Sequence, residues 1–324
     1  MARMRLGIVG VFLVMAAASL WVAQGDAQPG TVKKIGDGVW FREGERDQGH
    51  CNNVVIEMKD YLIVVDANFP SGAKALLRDL KRLSSKPVKY VFNTHHHGDH
   101  AYGNPVWTRY GATTLAYAAV AEELKRYEPQ RWQEAAKKRK GIADLNLDAP
   151  KPPKQLFSET PFVLEDETRR VEFHFFGWAH TRGDGFVFLP REKILCTGDA
   201  ITNGPYNYTG DGHIANWPNV VASAQKLNPK IVLPGHGGAG GAELLDGQKR
   251  FMEELHAAVK KAAGDGRELR SLVAVGGDGE PVSTTLVLSD AVANWVGPNL
   301  GKQVRDAYEE ITQGRPHGEI LGGS

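Results

Sequence analysis

Sandwich architectures run to this length as one unit, so a chain of 324 residues is long enough for one large buried core. Its 39 Lys and Arg stand against 38 Asp and Glu, a net charge of +1. That balance gives no general attraction to nucleic acid or to an anionic membrane, and excludes partners recognised by bulk charge.

The chain opens with Arg3 and Arg5, an apolar run from Leu6 to Ala23, and small residues at Ala23, Gly25 and Ala27. This is the pattern of a cleaved secretory signal over residues 1–27. It predicts a periplasmic or secreted protein with no stable membrane association after cleavage. An uncleaved anchor is the alternative, because the run only just reaches the length of a membrane span. Leu76, Leu77, Leu80 and Leu83 repeat at helical spacing and predict an amphipathic helix over 71–83. Val88 to Phe92 then reads as a short buried strand.

Directly after it comes Thr94-His95-His96-His97-Gly98-Asp99-His100. Continuing the strand alternation points His95 and His97 to one side and His96 away from them. Gly98 permits a sharp turn that brings Asp99 and His100 back over the same spot. Neutral imidazole and carboxylate are the usual donors to zinc, so the run reads as a metal site serving two adjacent ions. An engineered histidine tag lies at a terminus and lacks the Gly-Asp-His continuation after a strand.

From Ala116 to about Lys140 the pattern is helical again, with Tyr127 and Trp132 among Lys and Arg, and Asp148 to Pro153 is an extended linker. This insertion over 116–155 has two readings, a lid bearing on substrate choice or a solvated surface helix with a basic face. Three further strands then run into Gly or Pro. Arg170 to Phe176 leads to His180 and Thr181, Lys193 to Thr197 leads to Gly198 and Asp199, and Lys230 to Leu233 leads to Pro234-Gly235-His236-Gly237. Gly and Pro stop a strand and throw the next side chain outward, so His180, Asp199 and His236 are candidate ligands at strand ends.

Tyr206 and Tyr208 sit in a loop without apolar periodicity that runs to His213. Either hydroxyl is suited to donate to a carbonyl oxygen gaining negative charge, or both rings simply wall the pocket. A helix is expected from about Asn219. The tail over 264–324 offers strands at Leu272 to Val275 and Thr284 to Leu288, then a helix from Asp290 through Ile311 broken near Pro298. It packs on the rest of the chain or pairs two copies into a homodimer. Cys51 and Cys196 lie far apart in sequence, so a disulfide between them is left open.

Taken in order, the His95-x-His97-x-Asp99-His100 run, His180 before Thr181, the Gly198-Asp199 pair and the Pro234-Gly235-His236-Gly237 turn resemble the metallo-β-lactamase superfamily. Asn53 to Met58, Tyr61 to Ala67 and the helix near Ser71 resemble its opening hairpin and first helix. The resemblance implies an α/β fold, an αββα sandwich of two mixed β-sheets packed face to face with helices on both outer faces. The sandwich would occupy 28–263, with a C-terminal extension over 264–324.

The same resemblance implies that His95, His97 and His180 hold one metal, that Asp99, His100 and His236 hold a second, and that Asp199 bridges them. Asp66 would support the site from behind. An Asp at 199 is similar to the glyoxalase II, lactonase and ribonuclease Z branches, whereas one β-lactamase subgroup has Cys there; Cys196 reads as a small buried strand residue. The implied cofactor is two Zn2+ per chain, with Fe or Mn as alternatives. The implied activity is attack of a zinc-bound hydroxide, its proton oriented by Asp99, on a small-molecule ester, lactone, thioester or amide, β-lactams included. No Gly-x-Ser-x-Gly elbow lies between a strand and a helix to suggest a serine hydrolase. Two other readings are a mononuclear iron dioxygenase acting on a persulfide, which resembles one branch of the superfamily, and a non-catalytic binding protein on the same scaffold. The complete ligand set weighs against both.

Overall fold

The computed structural model describes residues 28–320, so the signal expected over 1–27 lies outside the described residues. Strands β1 (Val32–Gly36), β2 (Val39–Arg42), β3 (Asn53–Glu57) and β4 (Leu62–Val65) form an antiparallel meander. Helix α1 (Pro70–Leu83) begins on a proline, whose missing N–H costs nothing in a first turn. It crosses over to β5 (Val88–Phe92), which runs parallel to β4. Two short helices, α2 (Gly98–Ala101) and α3 (Asn104–Arg109), lead to β6 (Thr113–Tyr117). Helices α4 (Ala118–Lys138) and α5 (Lys140–Ala143) then separate β6 from β7 (Gln155–Phe157), which completes a seven-stranded mixed sheet in sequential order.

The second sheet starts with β8 (Phe162–Glu165), β9 (Arg170–Phe175) and β10 (Gly185–Leu189), all antiparallel, and adds β11 (Ile194–Cys196). Helix α6 (Trp217–Gln225) carries the chain across to β12 (Ile231–Leu233), parallel to β11, giving the order β12-β11-β10-β9-β8. After α7 (Glu243–Gly264) and α8 (Leu269–Leu272), a hairpin of β13 (Val273–Val275) and β14 (Pro281–Thr284) stands as a small sheet of its own. Helices α9 (Leu300–Gln313) and α10 (His317–Ile320) follow.

Side chains on a strand alternate between faces, and here each face finds a different partner. Val54, Ile56, Ile63 and Val65 of the first sheet meet Val171, Phe173, Val187 and Leu189 of the second in a core between the sheets. Their neighbours Val55, Leu62 and Val64 turn outward against Leu76 and Leu80 of α1 and Trp107 of α3. On the far side, Phe186, Phe188 and Val232 pack under α6, α7 and α9. The result is the expected αββα sandwich. The parallel pairs β4–β5 and β11–β12 end in register, Val65 beside Phe92 and Cys196 beside Leu233, so the loops after β4, β5, β11 and β12 leave from the C-terminal strand ends where functional side chains collect.

Some expectations shift. The helix expected from Ala116 starts at Ala118, because Thr113–Tyr117 is a strand paired to β5 and β7. The tail strand expected at Thr284 to Leu288 lies earlier, over Pro281–Thr284. Helix α4 buries Glu123, Glu128 and Trp132, so it is no freely solvated surface helix. Cys51 and Cys196 are both buried and unpaired.

Candidate metal centre

The chain leaves β4 through Asp66 and Asn68, both in the left-handed region at φ +65° and +61°, a conformation Asp and Asn tolerate better than other side chains. The turn aims the buried Asp66 carboxylate at the segment after β5. There it accepts hydrogen bonds from the Thr94 N–H at 2.8 Å and the Thr94 hydroxyl at 2.9 Å, and lies 2.9 Å from His100 Nδ1. Thr94 in turn meets His95 Nδ1 at 3.0 Å. One buried acid therefore orients two imidazoles, which is how ring orientation is fixed around metal sites.

Strand β5 stops at Phe92, and His95 to His97 lie in a bent segment rather than an extended one. The three imidazoles divide between two neighbouring groups that share His97. His97 Nδ1 lies 2.9 Å from His180 Nε2, and the donor atoms of His95, His97 and His180 form one tight group. His96 turns instead towards Asp211, at 3.3 Å, and Glu128, at 3.7 Å. Gly98 opens α2, the turn that carries Asp99 and His100 back over the site.

Asp99, His100 and His236 make the second group, with His236 Nε2 3.0 Å from Asp99 Oδ2. Asp199 lies between the two. Its Oδ2 is 4.0 Å from His95 Nε2, 3.7 Å from His180 Nε2 and 3.4 Å from His236 Nε2, while its Oδ1 is 3.3 Å from His100 Nε2. Gly235 is required here, since a Cβ at that position would fall 1.9 Å from Asp199 Oδ1.

The charges are arranged to match. For His97, burial and then the neighbouring His96 lower the pKa to about 3, against the pull of Asp211. Burial likewise drives His95 well below its usual value, helped by His100, His180 and His97, so these rings are neutral donors. At Asp99 burial opposes ionisation, but His100 and His236 hold the pKa at about 2. Burial also opposes the charge on His236, and Asp199 and Asp99 overcome it, raising its pKa to about 10.

Three buried atoms, His95 Nε2, His100 Nε2 and Asp199 Oδ1, have no hydrogen-bond partner. Buried polar atoms are nearly always paired. Unpaired imidazole nitrogens and a carboxylate converging on one spot suit divalent cations, so the residues present fit the implied metals.

The site opens into a cleft of about 440 Å3 walled by Phe69, Tyr102, Tyr206, Tyr208 and Arg131. Tyr206 stacks obliquely on His236 at 5.8 Å between ring centres, and Tyr208 stands edge-on to His97 at 5.4 Å. The Tyr208 hydroxyl lies against Gly210, where a Cβ would be only 2.2 Å away. Two residues that the sequence reading did not single out back the first group. Asp211 lies 2.8 Å from His97 Nε2, and Arg131 of α4 grips it with hydrogen bonds of 2.6 and 2.8 Å. Burial works against the Asp211 carboxylate, yet Arg131, His96 and His97 hold its pKa far below the usual range.

The sequence pattern of the metallo-β-lactamase superfamily matches residues 46–236, more than half of the chain and all seven candidate ligands. A metallo-β-lactamase type 2 from Bacteroides fragilis is 26% identical over 96 residues, and the match spans 39% of that protein's length. Among solved structures, a metallo-β-lactamase from Pontibacter korlensis superposes with a TM-score of 0.55 at 21% identity, covering 69% of this chain and 98% of that one. One from Hirschia baltica gives a TM-score of 0.55 at 22% identity, with 69% and 98% covered. With the sandwich, the strand-end donors and the matched pattern agreeing, this chain belongs to the metallo-β-lactamase superfamily.

Proposed function

We propose that the protein is a dinuclear zinc hydrolase of small esters, lactones, thioesters or amides, with His95, His97 and His180 holding one ion, Asp99, His100 and His236 the other, and Asp199 both. The observation that carries this reading is the position of Asp199, whose two oxygens face donors of both groups at 3.3 to 4.0 Å. When bound, two zinc ions supply a Lewis acid and lower the pKa of water towards neutrality. The rest falls to the chain's own residues. Asp199 sets anionic charge between two cationic positions and so offsets their repulsion. Asp99, held ionised beside His236, has an oxygen placed to accept the proton of an attacking water. Phe69 and Tyr102 form an apolar flank of the cleft that limits water around the scissile bond. Tyr206 and Tyr208 also line the cleft, where a hydroxyl can donate to an oxygen gaining charge.

Zinc-loaded protein assayed on a panel of lactones, thioesters, phosphoesters and β-lactams should hydrolyse at least one of them, with activity lost on chelation and restored by zinc. The β-lactams belong in the panel because similar proteins carry that name. A fully loaded protein inert to the whole panel, or one iron per chain with persulfide-oxidising activity, would overturn the proposal.

A further inference from the structure

The candidate donors lean on two different parts of the molecule, and the first group is divided between them. His100 Nδ1 rests on Asp66, and His95 on Thr94, both on the first sheet. The outer nitrogens of His97 and His180 rest instead on one loop over 206–213: His97 Nε2 on the Asp211 carboxylate, and His180 Nδ1 on the Tyr208 carbonyl at 2.9 Å. That loop contains no strand or helix of its own. Something else must hold it to the precision a ligand's partner needs.

Gln248 and Trp178 hold the loop from within the body of the chain, through the Asn207 side chain and the Asp211 carbonyl, but most of its holding contacts come from beyond residue 300, outside the span that matches the superfamily. Gln303 donates to the Asn207 carbonyl at 2.8 Å, and the Thr209 hydroxyl donates to Asp306 at 2.6 Å. His317 Nδ1 donates to the Gly210 carbonyl at 2.8 Å, and the Gly318 N–H to the Gly212 carbonyl at 3.0 Å. Gly318 can sit there only as glycine, because a Cβ would meet the Asp211 carbonyl at 2.6 Å. The buried Glu310 carboxylate accepts the N–H groups of Ile214 at 2.9 Å, Ala215 at 2.7 Å and His317 at 3.1 Å, tying the end of the loop to α9 and α10 together. From the other side Arg131 clasps Asp211, and Tyr127 of the same helix donates to the Gly318 carbonyl at 2.6 Å.

We infer that the C-terminal segment 303–318 is a clamp on the 206–213 loop, and that Asp211 is the positioning residue through which the clamp sets the geometry of His97 in the first metal site. The second group is not hydrogen-bonded to 206–213 by any side chain of Asp99, His100 or His236 among the described residues, and His236 meets the loop through the Tyr206 ring, ahead of the clamped stretch from Asn207. The inference rests on the dinuclear reading proposed above. Partners of ligating histidines typically alter metal affinity 10- to 100-fold.

The test is stepwise zinc uptake by the metal-free full chain in competition with a chromophoric chelator, with the visible spectrum of the cobalt-loaded chain as a second readout. Asp211→Asn and Glu310→Gln should each weaken one of the two steps about 10- to 100-fold, leave the other within about twofold, and alter the cobalt spectrum. Arg131→Lys should fall between wild type and Arg131→Ala. Should Glu310→Gln fail to fold, Thr209→Val, which removes one surface of the same clamp, serves in its place. Folded variants with both steps at wild-type affinity, or with both steps weakened alike, overturn the inference. A wild-type chain that takes up one ion only overturns the dinuclear reading instead, and the inference then stands or falls on whether that ion's affinity follows Asp211.

Discussion

Replacing Asp66 should weaken both metal positions and the metal-free fold together. The carboxylate is 2% exposed and accepts from the Thr94 N–H, from the Thr94 hydroxyl and, in the neutral tautomer that leaves Nε2 for metal, from His100 Nδ1. Asp66→Ala leaves a buried Thr94 N–H unpaired, at about 1 to 3 kcal/mol, and removes a charge-assisted bond to His100 of about 1.5 to 3 kcal/mol. It also places alanine at φ +65°, at a further cost of roughly 1 kcal/mol. A loss of about 3.5 to 7 kcal/mol is expected in urea denaturation of the metal-free protein, a large part of a typical domain's stability. Asp66→Asn is the sharper probe. It tolerates the backbone conformation and keeps an acceptor for Thr94, but it gives up the charge that favours the His100 Nδ1–H. Its zinc titration should show both steps weakened, the His100 position directly and the His95 position through Thr94, by about 10- to 100-fold. Zinc affinities within twofold of wild type and an unchanged urea midpoint in Asp66→Asn would refute this account of the support.

Asp199→Asn should lose most of the hydrolytic rate and weaken the second ion, read by metal analysis after gel filtration, because a neutral amide no longer offsets two cations. His97→Ala should lose one ion and nearly all hydrolysis. His96→Ala should keep both ions with reduced affinity for one, since His96 faces Asp211, the partner of His97, and lies outside the group of His95, His97 and His180; loss of an ion from His96→Ala with retention of both by His97→Ala would reverse the assignment. At the clamp, burial opposes the charge on His317, but Glu309, Asp306 and the Gly210 carbonyl raise its pKa above the ordinary 6.5. Stability from His317 is therefore fully present below about pH 6.5 and is lost as pH rises through the raised folded value. The gap in urea midpoint between wild type and His317→Gln should narrow with rising pH, and a widening gap would contradict it.

The candidate donors are legible because they come in loops that follow strands: the histidine run after Phe92, Asp199 after Cys196, His236 after Leu233. The sandwich is implied by the superfamily resemblance, and the period of two in its strands, Val54 and Ile56 to one core and Val55 to the other, is what builds it. What stayed hidden was fixed by distance rather than by pattern. Asp211 sits in an aperiodic loop, and its partner Arg131 lies 80 residues away. The buried face of α4 was masked because its inward residues include Glu123 and Glu128, whose burial is paired by Arg182 and Arg131 rather than signalled by hydrophobicity. Cys51 gave no local sign of lying beside Asp66 and His100.

The central claim is a site for two ions joined by Asp199, and the metal-to-protein ratio of the full chain, purified without chelator and exchanged into zinc-containing buffer, tests it most directly. Elemental analysis should give close to two zinc per chain, falling to about one in His236→Ala, because seven donors exceed what one tetrahedral ion can use. A fully occupied wild-type protein holding a single ion, zinc or iron, would contradict the claim.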